Sequence, residues 1–103
     1  MSRGSGFQAL TTPAAHAAHE MYRALRHARV ADVKIEAPAD SNEVLMHADF
    51  SALGRQGEFD RLWQVAARVQ KAHPQVTFKG EFQMPGGSVT VGPQTLAAPC
   101  PKL

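Results

Sequence analysis

A chain of 103 residues has room for one domain built on one small core, and not for a second independent module. Apolar residues make up 44% of it and charged residues 19%, ordinary globular usage that sets aside a wholly disordered chain. The net charge of +2 is small for a protein that holds nucleic acid by charge alone, and no run of uncharged apolar residues is long enough to span a membrane.

Residues 1–10, with two glycines and two serines, read as a flexible N-terminal arm, and their lack of an apolar stretch fits a cytoplasmic protein rather than a secreted one. An ordered core is expected over residues 12–92 of this single domain. Thr12-Pro13 is a helix start: the hydroxyl can accept from an orphan amide, and proline at the first helical position forfeits no hydrogen bond. From Ala14 to about Arg29 a period of 3.6 places Ala14, Ala18, Met21 and Leu25 on one side and His16, Glu20, Arg23 and His27 on the other.

Alternation follows. Val33, Ile35 and Ala37 face one way and Lys34 and Glu36 the other; after the turn-forming ADSNE, Val44, Met46, Ala48 and Phe50 alternate against Leu45, His47 and Asp49. Two such strands around a short polar turn make an antiparallel hairpin. SALGRQG is a glycine-containing loop, and a second helix is expected over 58–73, stopped by Pro74. Its apolar face holds Phe59, Leu62, Trp63, Ala66 and Val69, opposite Arg61, Gln64, Arg68 and Lys71. VTFKGEFQM is the clearest strand, Pro85-Gly86-Gly87 a turn and SVTV a short return strand. The proline-rich residues 93–103 read as an unstructured tail.

The order is helix-strand-strand-helix-strand-strand, which predicts an α+β fold: a four-stranded, mostly antiparallel sheet with two helices packed on one face. So small a core gives a thin stability margin, and a homodimer that covers the other face or extends an edge would widen it.

The chemistry is sparse. His16 and Glu20 have the i, i+4 spacing of two metal ligands, but Arg23 beside them opposes a cation, and the H-E-x-x-H pattern is absent. The bland alternative is a solvated face with Glu20 paired to Arg23. His47 and Asp49 share a strand face and could pair as imidazole and orienting carboxylate, with Ser41 or Ser51 the nearest hydroxyls. His73 suits the negative end of a helix dipole. Cys100, the only cysteine, sits in the tail APCPKL with no disulfide partner and reads as an incidental exposed thiol. No phosphate loop or cofactor motif is present, so neither a metal nor a cofactor is expected.

Charge supplies the remaining signal. The helices are basic, through Arg23, Arg26 and Arg29 on the first and Arg61, Arg68 and Lys71 on the second, whereas the first hairpin is acidic, with residues 33–50 carrying a net −3. The expected role is a small non-catalytic binding or regulatory protein, an adaptor or inhibitor, acting through protein contacts. Arg23, Arg26, His16, His27, Arg61, Arg68 and Lys71 would form one contact surface and Glu36, Asp40, Glu43 and Asp49 a second, acidic one. The histidines would add positive charge in mild acid. Nucleic acid bound on the basic helix face is the alternative, weakened by the interspersed Glu20, Glu58 and Asp60. A small histidine- or metal-dependent enzyme is the third reading.

Overall fold

The structure, a computed structural model, describes residues 12–52 and 54–100. The expected N-terminal arm lies outside the described residues. Helix α1 (Pro13–His27) opens as the sequence requires: Thr12 is extended and its Oγ1 accepts from the Ala15 amide at 3.1 Å. It ends two residues earlier than expected. Arg29 adopts the left-handed conformation at φ 61°, the Arg29 amide donates to the Arg26 carbonyl and the Val30 amide reaches back to the Leu25 carbonyl. This is a Schellman stop with arginine where glycine is usual, locked by burial of both Leu25 and Val30.

Strand β1 (Lys34–Glu36) pairs antiparallel with β2 (Glu43–Asp49), confirming the hairpin. Its turn is organised by Ser41, whose hydroxyl donates to the Pro38 carbonyl and accepts from the Glu43 amide, both at 3.2 Å. Helix α2 (Gln56–Ala72) then crosses over to β3 (Thr77–Met84), which lies beside β2 and parallel to it, with Glu43 level with Thr77 and Asp49 level with Gln83. Strand β4 (Gly87–Val91) returns antiparallel on β3. The sheet order is β1-β2-β3-β4, a mixed sheet with one central parallel pair between two antiparallel ones. The α+β architecture is therefore as expected, with that parallel pair as the detail alternation left open.

The core fills the space between sheet and helices. Val44, Met46, Phe78 and Phe82 meet Met21, Phe59, Leu62 and Val69, and the rings of Phe50, Phe59 and Phe82 stand 5.5 to 5.9 Å apart in edge or tilted contact. Gly80 is buried against the Phe82 ring, and a Cβ there would sit 2.7 Å from it, so the position has no room for a side chain. Val65, outside the expected apolar face, is 5% exposed: α2 is covered by α1 as well as by the sheet.

One element overturns an expectation. Residues 93–100 do not form a loose tail. Pro93–Leu96 make a short helix, α3, whose Leu96 is 2% exposed, and the Trp63 indole donates to the Ala98 carbonyl at 3.0 Å. Pro93 at its first position is the same signal that starts α1. Among the described residues, no helix is long and apolar enough to cross a membrane.

Candidate functional site

The exposed arc of α1 spans more than the histidine stripe. On a helix, residues four apart stand one above the other, so Tyr22 lies beneath Arg26, and the Arg26 guanidinium covers the Tyr22 ring at 5.7 Å from its centroid. Tyr22 is 48% exposed, the one large hydrophobic residue so exposed among the described residues. His16, His19, Arg23 and His27 are exposed beside this pair.

Glu20 marks the other flank of α1. Its Oε1 stands 2.7 Å from Nε2 of His73, at the C-terminal cap of α2, so it ties the two helices together rather than pairing with Arg23 as expected. The same contact takes Glu20 from the spacing it shares with His16. Among the described residues, no three His, Cys, Asp or Glu side chains converge as a metal site would require.

Two arginines hold the other end of the helix layer. Arg61, expected to face a partner, instead donates from Nε to the Ala28 carbonyl at 2.9 Å and from Nη2 to the Arg29 carbonyl at 3.4 Å, so it satisfies the end of α1. Arg55, which sequence reasoning passed over as a loop residue, is the most connected cation. Its guanidinium donates to the Asp49 carbonyl (2.6 Å), the Ala31 carbonyl (2.9 Å) and Glu58 Oε1 (2.5 Å), and it lies 4.6 Å from the Phe50 ring centroid. The hydrogen bond from Arg55 holds the Glu58 carboxyl below the usual glutamate range. Only the crowded composition of SALGRQGEFD hinted at this; nothing in it named the carbonyl acceptors.

The three acids that dilute the basic helices in the sequence are thus engaged. Glu20 meets His73, Glu58 meets Arg55, and Asp60 accepts from Gln56 Nε2 at 3.3 Å and from Cys100 Sγ at 3.3 Å. Arg23, Arg26, Arg68 and Lys71 are exposed and form no ion pair among the described residues. Arg23 and Arg26 share the outer arc of α1, while Arg68 and Lys71 stand on α2, beyond the Glu20 flank. Cys100 is half-buried rather than exposed, and burial together with Asp60 pushes its thiol up to about 11.

The acidic set is dispersed. Glu36 is exposed on β1, Asp40 stands in the turn with φ 60°, and Glu43 receives Lys79 Nζ at 2.7 Å. Asp49 lies at the opposite end of β2 from Glu43, roughly 20 Å along a strand of this length. Its Oδ1 accepts from both the amide and the hydroxyl of Ser51, which lowers its pKa, so the pairing with His47 that their shared strand face allowed does not form. His47 faces Glu81, 4.0 Å away on β3 and brought level by the parallel register, the cross-strand neighbour usual for an outward strand residue. Ser51 is spent on Asp49 and Ser41 on its turn, so neither hydroxyl stands beside His47 as a nucleophile would.

Comparison with known proteins found no matching family model, curated protein or solved structure.

Proposed function

We propose that this chain is a small binding or regulatory protein, without a reaction of its own, that docks an acidic protein partner on the outer arc of α1. The observation that carries the reading is the exposed Tyr22 ring under Arg26, with Arg23 beside it. Tyrosine and arginine are the residue types that anchor protein interfaces, because each combines a large apolar contact area with directed polar groups. The diversion of Glu20 toward His73 supports it further, since it leaves the arc more positive than its sequence implies.

The test is capture of partners from the native host with the wild-type chain, a Tyr22→Ala variant and an Arg23→Glu/Arg26→Glu variant, each shown to be folded. A protein retained by the wild type and lost with both variants supports the reading. Capture unaffected by both variants eliminates it. Retention that disappears on nuclease treatment transfers the same surface to nucleic acid, the alternative reading.

A further inference from the structure

The sheet ends in two edges of opposite character. β1 is three residues long, carries exposed Lys34 and Glu36, and is followed by Pro38. Shortness, charge and proline are the devices by which a strand is kept from pairing with another chain. β4 has neither the shortness nor the charge, although Pro93 follows it at the same distance as Pro38 follows β1. It runs Gly87-Ser88-Val89-Thr90-Val91, uncharged and without proline within it, and among the described residues β3 is its only neighbour in the sheet. Beside it a hollow of about 470 Å³ is lined by Gln56, Met84, Gly87 and Val89, among others from the turn.

We propose that β4 pairs antiparallel with β4 of a second copy, about a two-fold axis through Val89, to form one eight-stranded sheet. The strand is complementary to itself in this register. Val89 meets the partner's Val89 on the helix side, Ser88 meets the partner's Thr90 on the open side as a hydroxyl pair, and Gly87 leaves room for the partner's Val91. Like charges stay apart: the nearest is Glu81 on β3, level with Thr90, and its counterpart lies three strand spacings off, roughly 14 Å and beyond the screening length.

A second copy fits this edge better than a foreign strand because the chain also supplies what fills the hollow. Only Gly92 separates Val91 from α3. The axis that sets the partner's Val91 beside Gly87 therefore brings the partner's α3, led by its exposed Pro93, toward the hollow at Gly87 and Val89. An unrelated strand would satisfy the backbone and leave the hollow open.

The test is the mass of the intact chain in solution by light scattering or sedimentation, up to about 200 µM, a range that detects dissociation constants to about 10⁻⁴ M. Thr90→Lys and the double variant Ser88→Lys/Thr90→Lys are the perturbations. Both positions are exposed, and Glu81 opposite Thr90 accommodates the new cation within one copy, so the fold is retained and circular dichroism checks it. The expected result is twice the chain's 11.1 kDa for the wild type and 11.1 kDa for the double variant, with the single variant weakened at least tenfold. A wild type that stays at 11.1 kDa overturns the proposal, including one that instead takes up an added strand-forming peptide. So does a dimer that survives both lysines, because its interface is elsewhere.

Discussion

Arg55→Ala is expected to unfold this protein more readily than any exposed charge substitution. The side chain is 17% exposed and its guanidinium joins three segments that lie apart in sequence: the end of β2, the loop after α1 and the first turn of α2. Three charge-assisted hydrogen bonds, discounted for partial exposure to about 1 kcal/mol each, give a loss of about 2–4 kcal/mol once the lost stacking on Phe50 is added. For a domain of this size that lowers Tm by roughly 10–20 °C. Arg55→Lys recovers little, since one ammonium cannot present a fork to three acceptors. Urea unfolding followed by Trp63 fluorescence measures the loss as a shift in midpoint at constant slope. Acid sharpens the reading. Glu58 is depressed by Arg55, so the stability from that pair is present above the unfolded glutamate value and lost as pH falls through the lower folded one. The gap between wild type and Arg55→Ala should therefore narrow below about pH 4 without closing, because the two carbonyl bonds do not titrate. A loss under about 0.5 kcal/mol at neutral pH, the size of an ordinary surface substitution, would mean that Arg55 does not tie these segments together.

Two further outcomes follow from close contacts. Gly80→Ala should cost about 1–3 kcal/mol by driving a methyl group to 2.7 Å from the Phe82 ring, and Phe82→Leu in the same chain should recover part of it; thermal melts of the four variants decide, and strict additivity would count against the clash. Cys100, its thiol pushed up to about 11 from 9.0, should react with iodoacetamide at pH 8 about 100-fold more slowly folded than in urea, and equal rates would place the 97–100 segment off the α2 surface.

What could be read from the sequence was whatever is local. The Thr12-Pro13 start, the alternation of 76–84 and the apolar face of α2 depend on residues within a few positions of each other, and all three appear as expected. The parallel centre of the sheet could not be read, because side chains alternate with period two whichever way the neighbour runs. The end of α1 was misplaced because arginine, not glycine, takes the left-handed position. α3 was hidden by composition: prolines suggested a tail, whereas Pro93 starts a turn of helix and Leu96 inserts into the core. At the candidate site, the exposure of Arg23, Arg26, His16 and His27 was legible from the wheel. The roles of Arg55 and Arg61 were not, since their acceptors are backbone carbonyls up to 33 residues away.

The parallel ladder between β2 and β3 also sets the order in which this chain can assemble. Every pair in it joins residues 34 positions apart, as Glu43 and Thr77 are, whereas each flanking hairpin closes locally. Closing a loop of that length costs about 3 kcal/mol of chain entropy before any contact returns it. Each half, a helix followed by a hairpin, must wait with one strand edge bare until α2 docks and the two edges meet. Folding should accordingly be a single late, cooperative step whose rate follows the stability of α2, and a ribosome releasing this chain must expose the edge of β2 until β3 has emerged.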